Sequence, residues 1–152
     1  MELKDKFKNG ISGQLCITAV NRSGDILFRH EWNNLITTDG YDAAAECLAG
    51  EAGAVITSVS CGTNADTPTV DDTAITDAVN VPITHVTYPE NGSVMFHFLV
   101  DWEDADGMDI YEWGLITQDG RLFSRLTRAI ISKTEEMQLL GQWEIRLKEK
   151  NS

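Results

Sequence analysis

The sequence predicts an all-β protein, an antiparallel β-sandwich or jelly roll of about eight strands with one short helix. Three observations lead there. Apolar residues recur at every second position through most of the chain, which is the period of a half-buried strand. The alternating runs are separated by short stretches rich in Asn, Asp, Gly and Pro that supply turns. The 152 residues and 42% hydrophobic content make one core, and no internal repeat or low-complexity linker divides it.

Residues 1–12, with Lys4, Lys6 and Lys8, are poor in apolar side chains and are expected to form a flexible N-terminal segment. Residues 13–148 form the domain and 149–152 a short tail. Leu15, Ile17 and Ala19 alternate before Asn21-Arg22-Ser23-Gly24-Asp25, and Ile26, Phe28, His30 and Trp32 alternate after it, which reads as a hairpin. His30, on that apolar face, is expected to be a hydrogen-bonded core residue or a subunit contact. Tyr41, Ala44, Ala45 and Leu48 fall at helical spacing, with Thr38 or Asp39 as the start cap and Gly50 as the stop, so this stripe is expected to cover a sheet or a sheet edge.

Strands are expected at 55–61 and 83–88, separated by an irregular loop, 62-GTNADTPTVDDTAITDA-78, in which residues 71–78 have the makings of a helical turn. In 93-SVMFHFLVDW-102, Val94, Phe96, Phe98, Val100 and Trp102 share one face, which predicts a central core strand, and His97 points the other way. Residues 108–117 and 121–127 flank Gln118-Asp119-Gly120, a turn of the kind that hairpins prefer. The last strand places Met137, Leu139, Gly141, Trp143, Ile145 and Leu147 inward.

The net charge is −12, which argues against a nucleic-acid partner, because such affinity rests on Lys and Arg neutralising phosphates. No apolar run is long enough to span a membrane. Between His30 and Gly120 there is no Lys or Arg. The acidic middle reads either as a solvated surface kept soluble by like charge or as a docking surface for the basic ends of a neighbouring copy, with Lys4, Lys6 and Lys8 as candidate assembly contacts. Cys16, Cys47 and Cys61 lack the spacing of a disulfide framework or metal site and read as small buried groups.

The stretch 101-DWEDADGMDIYEWG-114 raises the question of calcium. An EF-hand-type loop needs oxygen ligands at positions 1, 3 and 5, Gly at 6 and Glu at 12. Counting from Asp101 puts Ala105 at 5 and Asp106 at 6, and the flanks alternate as strands, so the stretch reads as a solvated turn. No nucleophile elbow, zinc-binding His pair or phosphate-binding glycine loop is present, and no cofactor is called for. Gly114 within a strand permits a close backbone approach. Glu112 and Arg125, diagonal neighbours across the Asp119-Gly120 hairpin, are a candidate structural ion pair.

Taken in order, 13-GQLCITAVNRSGDIL-27, 34-NLITTDGYDAAAECLAG-50, 59-VSCGTNADTPTVDDTAI-75 and 110-IYEWGLITQDGRLFSRLT-127 resemble small virion structural proteins of tailed bacteriophages, of the tail-fibre or capsid-decoration kind. Lys133 and Trp143-Glu144-Ile145 resemble the closing strand of that group. Cys61 and Ile116 depart from its usual small residue and Phe. The resemblance implies a non-enzymatic virion protein, made in the bacterial cytoplasm. Its partners would be capsid or tail proteins and further copies of itself, with a trimer as the expected state. The lack of a repetitive shaft favours a decoration or tail-accessory subunit over a complete fibre. The alternative is a receptor- or carbohydrate-binding module using Trp32, Tyr88, Trp102, Tyr111 or Trp113 to stack on sugars.

Overall fold

The computed structural model describes residues 10–147. Its elements are β1 (Ser12–Asn21), β2 (Ile26–Asn33), β3 (Leu35–Ile36), α1 (Thr38–Leu48), a single 3-10 turn (Ala52–Ala54), β4 (Ile56–Gly62), β5 (Val79–Thr87), β6 (Ser93–Val100), β7 (Asp109–Thr117), β8 (Leu122–Ser132) and β9 (Met137–Arg146). All the strands join one antiparallel sheet in the order β2-β1-β9-β6-β5-β4-β7-β8-β3, curled on itself into a nearly closed, sandwich-like barrel. The all-β prediction holds. The ninth strand, β3, is two residues long and too short to show a period.

The short β3 has a large role in closure. β2 pairs with β1 as far as Asn33, opposite Gln14. The Asn34 N–H then donates to the Gly13 carbonyl, and Leu35 and Ile36 pair with Arg125 and Ser124 of β8. One extended segment thus changes partner at Asn34 and ties the two ends of the sheet together. At its other end β2 remains an edge strand. His30 is therefore exposed, lying between the Phe28 and Trp32 rings at centroid distances of 5.0 and 5.3 Å, because no strand lies over that part of the inner face. The expectation of a core histidine is corrected.

The inner face is built in rows across the ladder. Trp32, Leu15, Trp143, Phe96 and Val86 stand side by side on β2, β1, β9, β6 and β5. In the next row Phe98 faces Gly141, where a Cβ on the glycine would fall inside the Phe98 ring. The aromatic ring covers the glycine and fills its missing volume, as paired aromatics do in sheets. β6 is a central core strand, with Phe96, Phe98 and Val100 buried. Two inward assignments fail. The strand stops at Val100, so Trp102 lies in the following turn, and Leu147 is exposed beyond the end of β9.

The helix is also turned from its predicted face. Thr37, one residue before the predicted caps, accepts from the Gly40 N–H and donates from its hydroxyl to the Leu122 carbonyl at 2.6 Å. That anchors the first turn onto β8. Gly40 and Ala43 are the buried residues, because a Cβ at Gly40 would collide with the Phe123 carbonyl. Close approach on the small-residue face leaves Tyr41, Ala45 and Leu48 toward solvent. Residues 71–78 form turns and no helix.

Candidate functional site

The most densely bonded polar site among the described residues lies on the outer face of β7 and β8. In the ladder Gly114 faces Arg125 and Glu112 faces Thr127, so Glu112 and Arg125 meet on the diagonal. Arg125 Nε donates to Glu112 Oε1 at 2.9 Å, and the two side chains are 2% and 0% exposed. A buried ion pair needs its remaining valences filled. Glu112 Oε2 accepts from the backbone N–H groups of Asn64 and Thr76 at 2.8 and 3.0 Å. Arg125 donates to Asp72 Oδ2 at 2.9 Å and to the Asn64 carbonyl at 3.1 Å. Burial pushes the Asp72 carboxyl up, but hydrogen bonds from Thr69 and the Arg125 guanidinium hold it below its ordinary value.

These bonds clamp both limbs of the 62–78 loop to the hairpin. The glycines make the approach close enough. A Cβ at Gly62 would meet the Thr76 carbonyl, Ile75 and the Glu112 carboxylate, and one at Gly114 would meet Leu122 and Ile75. The sequence marked Glu112, Arg125 and Gly114 but missed Asp72, Asn64 and Thr76. Those three are ordinary loop residues, and only the topology brings them under the pair. Cys61, next to Gly62 but on the core face between Val79 and Trp113, is a buried thiol pushed up to about 12 by burial and then by the Asp104 charge. Of the other cysteines, Cys16 is partly buried and Cys47 is exposed. The expectation of three buried thiols fails for Cys47, because the helix turns that side outward and leaves its Sγ only the Ala54 carbonyl.

In the turn at 101–107 the carboxylates bond to the protein itself. Asp101 Oδ1 accepts from the Trp102 N–H and from Gln138 Nε2, both at 2.8 Å, and Asp104 Oδ2 accepts from the Asp101 N–H at 3.0 Å. Positive charge at the site comes from Arg22 on the surface and from Lys133, 1% exposed, whose Nζ donates to the carbonyls of Trp102 and Thr134 at 3.0 and 2.9 Å. Burial pulls the Lys133 ammonium below its ordinary range, against the upward pull of Asp106, Asp104 and Asp101. Among the described residues no group of three or more His, Cys, Asp or Glu is placed to hold a metal ion. The sequence signal for Lys133 was present, since it is the only lysine between Lys8 and Lys148.

Other charges pair within the chain. Arg121 forks onto Glu46 at 2.7 and 3.0 Å, and Arg146 reaches Glu90 and Glu144. Arg121, Arg125 and Arg146 thus fold back onto acidic residues of their own chain, while Arg128 donates to the Thr127 carbonyl. Lys4, Lys6 and Lys8 lie outside the described residues. Of the aromatics named for sugar stacking, Trp113 is in the core, 2% exposed, and the Arg22 guanidinium covers the Trp102 ring at 4.6 Å. Tyr88 is 76% exposed, beside a shallow pocket with Glu90, Asn91 and Leu147. No described helix is long and apolar enough to cross a membrane. No family model, curated protein or solved structure matches the chain.

Proposed function

We propose that the protein is a non-enzymatic structural subunit of a tailed-bacteriophage virion, a capsid-decoration or tail-accessory protein acting through protein contacts. The observation that carries this reading is the clamp. Gly62, Glu112, Gly114 and Arg125 all belong to the stretches that resemble the virion proteins, and they converge on a single buried network. That network fixes the shape of a long surface loop. Its charged groups are engaged with backbone and with one another, which suits a rigid contact surface. A reacting site instead needs such groups aimed at a substrate. Further copies of the chain and capsid or tail proteins are the partners, with Lys4, Lys6 and Lys8 as assembly contacts.

The test is binding to purified particles. Full-length protein and a truncation beginning at Gly10 are compared at low and high salt, with light scattering for subunit number. The reading expects an oligomer that binds particles, with binding weakened by the truncation and by salt. A monomer whose truncation binds equally well at both salts contradicts the assembly part. The second reading, a glycan- or receptor-binding module, is favoured by exposed Tyr88 beside its pocket. A glycan array on which Tyr88→Ala abolishes a specific signal would establish it in place of the first.

A further inference from the structure

Across β5 and β6, His85 and His97 are direct partners in the antiparallel ladder. Their rings lie face to face, with centroids 4.1 Å apart and planes 11° from parallel. Each ring is held at one nitrogen by a threonine. Thr84 Oγ1 donates its single proton to the His97 carbonyl at 3.0 Å. Its 3.1 Å contact with His85 Nδ1 must therefore be one in which the ring N–H donates, which leaves the His85 Nε2 lone pair free. Thr87 Oγ1 holds His97 Nε2 at 2.8 Å, and no described group bonds Nδ1 of that ring. For His85, a ring nitrogen fixed by an oxygen with the other left as a lone pair is the arrangement that metal-bound histidines adopt.

We propose that His85 and His97 form a two-imidazole site for a borderline transition-metal ion such as Zn2+, Ni2+ or Cu2+. The spacing suits it. A metal–imidazole bond is about 2.0–2.1 Å, so one shared ion needs a nitrogen of each ring within about 4 Å, and direct cross-strand partners carry their rings side by side, with centroids 4.1 Å apart. Because the two side chains leave the ladder side by side, rotation of His97 out of the stack about its Cβ–Cγ bond, exchanging its Thr87 contact for the ion, brings one nitrogen of each ring to a common point. Both side chains are on the outer face, His85 exposed and His97 half-buried, so water completes the coordination. Gln142, the partner of His97 on β9, stands next in the row with an amide oxygen. Nitrogen ligands select these ions over Ca2+ and Mg2+, which take oxygen. The inference is independent of the virion reading.

The test is thermal unfolding of the full chain with ZnCl2, NiCl2 or CaCl2, repeated on His85→Gln, His97→Gln and the double variant. Each variant's metal-free melt is its own reference, so differences in folding do not obscure binding. Zn2+ and Ni2+ should raise the midpoint progressively with concentration, as a ligand of the folded state does, and Ca2+ should not. Either single substitution should weaken the apparent affinity at least about tenfold, the least expected for loss of one of two ligands, and the double variant should be no worse than the singles. His30→Gln, which removes an exposed histidine elsewhere, should leave the response intact. A midpoint indifferent to Zn2+ and Ni2+, or a rise that survives both single substitutions, overturns the proposal.

Discussion

Arg125 is the residue on which the polar network turns, because it alone touches Glu112, Asp72 and the Asn64 carbonyl. Arg125→Met leaves the Glu112 carboxylate buried without its counter-charge, and such losses cost roughly 3–5 kcal/mol. Chemical denaturation should show that loss, and limited proteolysis should cut within residues 62–78. Replacing Glu112 by Met as well should restore only part of the stability, since the Asn64 and Thr76 N–H groups then have no acceptor. His97 sets a separate dependence on pH. Burial, then the charge of His85, holds its imidazole below the ordinary value of 6.5. Below that pH the unfolded chain takes up the proton before the folded one does, so stability falls as pH drops through and below 6.5. The depressed carboxyls of Asp72 and Asp101 keep their contribution until the pH falls below their ordinary 3.8. Melting in metal-free buffer should therefore show a first loss as the pH falls through 6.5 that His97→Gln reduces, ahead of acid unfolding.

Among the elements, β6 was legible from its sequence because its burial alternates cleanly between Met95 and Val100. Phe98→Ala should cost roughly 3–5 kcal/mol, the range for removing a buried aromatic, and more than loss of its ring volume alone would suggest, because Gly141 beneath it has no side chain to fill the gap. Equilibrium denaturation checks this. The helix was located by its spacing but its face was misread. Hydrophobicity pointed to Tyr41 and Leu48, whereas the contact distance imposed by Gly40 selected the small side. The turn at 101–107 yields a further expectation. Its Asp101 and Asp104 oxygens already accept internal hydrogen bonds, and Lys133 and Arg22 supply the compensating charge. Millimolar calcium and excess chelator should give the same unfolding midpoint, and a shift of many degrees would mean that the carboxylates open toward an ion.

On the scale of the molecule, the sequence carried the class of fold, since alternation and turn chemistry are local properties. Closure of the sheet was not legible, because it depends on the two-residue β3 and on a partner change at Asn34 between β1 and β8. The pairing of Glu112 with Arg125 could be foreseen from the hairpin register. The loop they hold could not, because Asn64, Asp72 and Thr76 reach them only through the fold. What emerges is a β scaffold whose buried charges secure surface loops, with Arg121, Arg125 and Arg146 matched to acidic residues of the same chain. A subunit of a larger particle needs such fixed surfaces, repeated by symmetry.

The proposal that the chain is a component of a virion is tested most directly by quantitative mass spectrometry of purified phage particles after removal of loosely bound protein. The prediction is that the chain is retained in multiple copies per particle and that chemical cross-links join it to capsid or tail proteins. Recovery of the chain only in the soluble lysate, with none retained on intact particles, would contradict it.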